Sequence, residues 1–169
     1  MYKREKIEFE IINQLHAFDL GITSFLTKTL EPFNITPQHY YIMEITGSYG
    51  QIGQDVIISN MSVNKSNVTK FLNALEDEGI IERKANIIDK RSRLVSLTEK
   101  GDAMLNEIQS EVECFYFDVL GVLGEYDKLS LITMLKNLNG TLHKKFPKWL
   151  DNATNDTLMF NNSLLIVNF

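Results

Sequence analysis

The order of local signals between Thr36 and Thr98 restricts the fold more than any other feature of the chain. Three short helical segments come first, with a tight turn between the last two, and two β-prone runs around a charged loop follow. Thr36-Pro37 is a helix start, with a hydroxyl to cap free amides and a proline at the first helical position, where no N–H is needed. Tyr40, Ile42, Met43 and Ile45 carry that helix, and Gly47-Ser48-Tyr49-Gly50 stops it. Residues 54–60 suit a second helix and Met61-Ser62-Val63 a turn. Asn64 caps a third helix running to Glu78, which Gly79 closes from the C′ position. Residues 80–85 and 94–97 read as the strands of a hairpin around the polar stretch 86–92.

The flanks are helical. In residues 4–30, Ile7, Ile11, Leu15, Phe18, Ile22, Phe25 and Leu26 fall near steps of three and four, and Pro32 with Asn34 ends the segment. After the hairpin, Thr98 caps a long helix with Met104, Ile108, Val112, Phe115, Val119 and Val122 on one face. A last helix over about 125–145 carries Leu131, Leu135, Leu138 and Leu142 at the spacing of a helix–helix seam, and Pro147 ends it. The expected class is mostly α with a small β-hairpin. A winged helix-turn-helix over 35–98 lies between an N-terminal helix (1–34) and C-terminal helices (99–150). The tail, 151–169, mixes asparagines with short apolar clusters, is too interrupted to span a bilayer, and receives no role.

A net charge of −5 speaks against nucleic acid if taken alone, but its distribution does not. The window 62–97 holds seven basic against five acidic residues, and the rest of the chain ten against seventeen. The single cysteine, Cys114, excludes an intramolecular disulfide. No continuous apolar stretch follows the N-terminus, so a cytoplasmic protein with no membrane partner is expected.

Two helices joined by a tight turn, then a hairpin, suit double-stranded DNA: the second helix lies in the major groove with its first turns facing base edges. Here those turns read Asn64-Lys65-Ser66-Asn67-Val68-Thr69-Lys70, with Ser62 in the preceding turn. Lys65 and Lys70 suit phosphates; Asn64, Ser66, Asn67 and Thr69 suit bases or phosphates. Val63, Val68, Phe71, Leu72 and Leu75 are left for the core. In the hairpin, Asp89-Lys90-Arg91-Ser92-Arg93 places arginines at or near a projecting tip, where Arg91 can enter a narrow minor groove and Asp89 can hold its rotamer.

Together with Ile35-Thr36-Pro37-Gln38, the run Leu75-Glu76-Asp77-Glu78-Gly79-Ile80-Ile81-Glu82-Arg83 and the run Leu97-Thr98-Glu99-Lys100-Gly101, these motifs resemble the MarR (multiple-antibiotic-resistance regulator) family over about residues 5–148. Three positions depart from its pattern: Ile58 where a small residue is usual, Gly53 where Ser or Thr often caps, and a bulky Tyr41. The resemblance implies a homodimeric transcription regulator, most often a repressor, in which the flanking helices interlock and two winged domains read a pseudo-palindromic operator. The seam of Leu131, Leu135, Leu138 and Leu142, with Ile7 and Ile11 on the first helix, agrees with it, because a small winged domain offers that seam no partner.

The resemblance also implies a small aromatic ligand between dimer helices and winged domain. Phe18, Ile22, Phe25, Tyr40, Tyr41 and Tyr116 are candidates to line such a site, with core or interface packing as the alternative for each. Cys114 offers a redox-responsive alternative, although Glu111 and Asp118, one turn to either side, disfavour a thiolate. A winged domain used for protein contact is a further alternative. His16, His39 and His143 are isolated, so no metal is expected. No glycine-rich phosphate loop or nucleophile–base–acid set is present, so neither enzymatic activity nor a cofactor is expected.

Overall fold

The computed structural model of the chain describes residues 2–61, 63–87 and 92–146. Helix α1, Tyr2–Leu30, is about 44 Å long at 1.5 Å per residue. Only its last turns enter the core, through Thr29 and Leu30. A 3-10 turn, Glu31–Phe33, follows, and Asn34 in the left-handed region (φ 55°) reverses the chain. Helix α2, Pro37–Tyr49, starts as the Thr36-Pro37 pair predicts. The Thr36 hydroxyl accepts from the His39 N–H, and His39 Nδ1 accepts in return from the Thr36 N–H at 3.1 Å. Burial holds the His39 imidazole below its ordinary pKa, which favours the neutral ring that this acceptor role needs.

A short strand, β1 (Gln51–Gly53), leads into α3, Gln54–Asn60, and then α4, Lys65–Asp77. The hairpin is β2, Ile81–Ala85, and β3, Arg93–Leu97. Helices α5, Glu99–Leu120, and α6, Glu125–Lys145, complete the described chain. The expected hairpin is therefore the larger part of a three-stranded antiparallel sheet, ordered β1-β3-β2, with Ile52 opposite Val95 and Arg83 opposite Val95 from the other side. Strand β1 escapes sequence reading because it is three residues long and has a single inward residue, Ile52. Its partner is more than forty residues away.

The core lies between α2, α4, the sheet and the first half of α5. Ile42, Met43, Ile57, Val68, Leu72, Val95 and Ile108 are fully buried within it. Leu105, absent from the expected face of α5, is buried, whereas Val122 is 83% exposed, because α5 ends at Leu120 and Gly121-Val122 lie beyond it. Among the described residues, apolar side chains of α1 and α6 are left exposed. Ile7, Phe9, Ile12, Leu129 and Met134 are each at least 60% exposed.

Candidate nucleic-acid interface

Helix α4 divides cleanly by face. Val68, Leu72 and Leu75 point inward and are buried, while Lys65, Ser66, Lys70 and Asn73 are exposed and Asn67 and Thr69 half-buried. Its N-terminus is fixed by Asn64, whose Oδ1 accepts from the Asn67 N–H at 2.9 Å and from the Ser66 hydroxyl at 2.7 Å. The Thr69 hydroxyl donates back to the Lys65 carbonyl at 2.9 Å. At the other end, the Gly79 N–H (φ 66°) donates to Glu76 O and the Ile80 N–H to Leu75 O, the paired bonds of a glycine-terminated helix. That turn delivers the chain directly into β2, so the hairpin grows from the foot of α4.

Alternation and register put Ile81, Arg83, Ala85, Arg93 and Val95 on the sheet face toward α4, and Glu82, Lys84 and Ser96 on the other. A polar cleft of about 420 Å³ separates α3 and α4 from the base of the hairpin, with Gln54, Lys65, Thr69, Asn73, Arg83 and Arg93 on its walls. Gln54 Oε1 is buried there with no hydrogen-bond partner among the described residues.

The positive charge is not evenly available. Arg83 is ion-paired to Glu76 and holds its carboxyl below the usual range, and Lys84 does the same to Glu82 on the far face of the sheet. Lys65, Lys70 and Arg93 have no ion-pair partner among the described residues. Two of the five described basic residues in the central window are thus internally balanced, which the sequence count does not reveal. Ser62, Asp89 and Arg91 lie outside the described residues, as does the tail from residue 147. The described stem of the hairpin closes at Asn86 and Ser92, where the Asn86 N–H donates to Ser92 O at 3.2 Å.

The second group of expected residues lies in the helical body. Phe18, Ile22 and Tyr116 line an almost wholly apolar pocket of about 380 Å³ between α1, α5 and α6. Phe115, Leu131 and Leu135 join them, the two leucines coming from the expected seam. Phe25 stacks on Phe115, ring centroids 3.7 Å apart. Tyr40 and Tyr41 do not reach the pocket: they are 5% and 3% exposed in the core. The Tyr40 hydroxyl donates to Glu44 Oε1 at 2.6 Å, and burial raises the pKa values of Tyr40, Tyr41, Glu44 and Tyr116 alike. Three of the six candidates thus line the pocket, and Phe25 and Tyr116 pack against the core that holds Tyr40 and Tyr41. Among the expected dimer contacts, Ile7, Ile11, Leu131, Leu138 and Leu142 are 38–62% exposed and Leu135 is half-buried. Cys114 is exposed on α5. No described helix is long and apolar enough to cross a membrane, and the described residues contain no cluster of metal-ligating side chains.

A helix pair with a polar outer helix, a hairpin rising from its foot and a three-stranded sheet closing the core define a winged helix-turn-helix. The MarR family profile matches residues 35–92. The organic hydroperoxide resistance transcriptional regulator of Bacillus subtilis (strain 168) is 28% identical over 140 residues, covering 83% of this chain and 94% of its own. The crystal structure of a mutant MarR from E. coli complexed with operator DNA superposes with a TM-score of 0.67 at 23% identity, over 76% of this chain and 93% of that one, and shows the shared fold. NadR, solved in complex with 4-hydroxyphenylacetate, gives a TM-score of 0.63 at 25% identity, over 78% and 91% of the two chains. The chain is thus similar to winged helix-turn-helix transcriptional regulators of the MarR family, by the family profile over residues 35–92 and by relatives that align with most of its length.

Proposed function

We propose that the chain represses transcription as a ligand-responsive homodimer on a pseudo-palindromic operator. The observation that carries this reading is the polar face of α4, where Lys65 and Lys70 have no ion-pair partner among the described residues, set beside a hairpin whose stem places Arg93 on the same cleft. In that arrangement α4 enters the major groove, and the wing, with Arg91 and Asp89, reaches the adjacent minor groove.

Dimerisation is supported by the apolar side chains that α1 and α6 leave exposed among the described residues, Ile7, Phe9, Ile12, Leu129 and Met134 among them. Two-fold symmetry then sets the reading helices about one DNA turn apart, roughly 34–36 Å. The boundaries 1–34, 35–98 and 99–150 follow this division of labour between clamping and reading. Ligand response is supported by the apolar pocket at Phe18, Ile22 and Tyr116, which abuts the two helices that join body and reader. NadR with its bound hydroxyphenylacetate is a relative in which such a small aromatic acid has been seen.

A mobility-shift assay with the full chain and the DNA upstream of its own gene tests the reading, with Arg91→Ala as the comparison. A discrete shifted band that Arg91→Ala abolishes supports it. Equal retention of both proteins, or none of either at low salt, refutes it. Repetition with a panel of small phenols tests the ligand response through loss of the band.

A further inference from the structure

Arg83 is the most buried cation among the described residues of the winged domain, its side chain 9% exposed, and its hydrogen bonds go to α4. From β2 its Nε donates to Glu76 Oε2 at 2.9 Å, and its Nη2 donates both to that oxygen and to Asn73 Oδ1, the latter at 2.8 Å. Asn73 and Glu76 stand three residues apart on α4, one turn along the same side. One planar guanidinium therefore bridges the two elements that would touch DNA, at the floor of the cleft between them.

We infer that Arg83, Glu76 and Asn73 form a positioning clamp that fixes the angle between α4 and the hairpin, so that helix and wing engage DNA as one rigid reader. The inference rests on the DNA-binding reading and adds a role for residues that do not touch the nucleic acid. The lever arm explains the need. The strand Ile81–Ala85 rises about 3.3 Å per residue, so the end of the described stem stands about 16 Å from its foot. A swing of about ten degrees at the foot moves that end by about 3 Å, against the roughly half-ångström tolerance of a positioned contact. Backbone bonds at Gly79 and Ile80, the pairing of β3 with β1 and the buried Ile81 and Val95 hold the foot of the hairpin in the core. The guanidinium adds a polar tie to α4 two residues further up the strand, where the outward stem begins.

The clamp and a purely electrostatic role predict opposite signs. Glu76 carries a negative charge beside the DNA-facing cleft. If charge alone mattered, removing it would strengthen binding. If the clamp matters, removing it loosens the wing and weakens binding to the specific site.

The test is equilibrium binding of the full-length protein to an operator duplex and to a scrambled duplex, each over a salt series, for wild type, Glu76→Gln, Arg83→Lys and the exchanged pair Glu76→Arg with Arg83→Glu. We expect Glu76→Gln and Arg83→Lys each to lose about tenfold in operator affinity, with scrambled-duplex affinity and the salt slope of Arg83→Lys within error of wild type. The exchanged pair, which rebuilds a guanidinium–carboxylate fork in reverse, recovers part of that loss. Equal or tighter operator binding by Glu76→Gln overturns the clamp. So does a parallel fall on both duplexes with a flatter salt slope in Arg83→Lys, the sign of a lost phosphate contact. Melting curves separate these from unfolding; if Glu76→Gln melts early, Arg83→Lys and the exchanged pair decide. Failure of the wild type to prefer the operator would refute the DNA reading itself and is recognised before any variant is compared.

Discussion

Gly101, in the first turn of α5, offers a test in which local and tertiary physics give opposite signs. A methyl group built on its Cα would meet the carbonyl oxygen of Ile80 at 2.1 Å, with Ile80 C at 3.1 Å and Ile80 Cγ2 at 3.3 Å. Backbone, not a flexible side-chain end, stands in the way. That same carbonyl accepts the Thr98 N–H at 3.0 Å and the Thr98 hydroxyl at 3.2 Å, so relief by moving Ile80 loosens the cap of α5. Helix propensity alone favours Gly101→Ala by about 0.5–1 kcal/mol. Overpacking of this kind costs about 1–3 kcal/mol, and weakening two hydrogen bonds adds about 1 kcal/mol. The balance is a net loss of about 1–3.5 kcal/mol, a midpoint shift of roughly 2–14 °C for a chain of this size. Gly140 in α6 has nothing within 4 Å of such a methyl and serves as the control, expected to gain about 0.5–1 kcal/mol on Gly140→Ala. Thermal and urea unfolding at fixed chain concentration would read both, since dimerisation makes midpoints depend on concentration. Equal stabilisation of the two variants would refute the close approach of α5 to Ile80.

Leu72→Ala, at a fully buried position on α4, should lower stability by about 3 kcal/mol in urea titration, as the cavity faces the centre of the core. Asn64→Ala removes the acceptor that caps α4 and should cost about 1 kcal/mol by the same measurement. Glu44 has its pKa raised by burial, so its contribution to stability is present below the ordinary carboxylate range and is lost as pH rises through the raised value. Glu44→Gln keeps an acceptor for the Tyr40 hydroxyl, and it should be more stable than wild type above that window and show a flatter pH profile in unfolding titrations. Lys65→Ala and Lys70→Ala should each flatten the slope of log affinity against log salt by about one if the side chain holds a phosphate, read by fluorescence anisotropy.

Much of the fold was legible because it is written in short-range chemistry. Thr36, Asn64 and Thr98 each accept the amide three residues on, as cap residues should, and Gly79 adopts the positive φ that its place after α4 demands. Helices α3 and α6 lack such a side-chain cap, each starting after a glycine, Gly53 and Gly124. What was missed depends on partners far along the chain. Strand β1 exists because β3 pairs with it, and nothing within Gln51–Gly53 announces that. Which of the aromatic candidates line the pocket and which lie in the core depends on how α2, α1 and α5 cross. The neutralisation of Arg83 depends on β2 lying beside α4, so a count of basic residues overstates the charge free to meet DNA.

The central claim is that α4 and the wing, paired across a two-fold axis, read a specific duplex. Hydroxyl-radical footprinting of the upstream DNA with the full-length protein tests it most directly. The account predicts two protected segments on one face of the duplex, centred about one helical turn apart, roughly 34–36 Å, and lost at high salt. A single protected segment, or uniform protection without preference for any sequence, would contradict it.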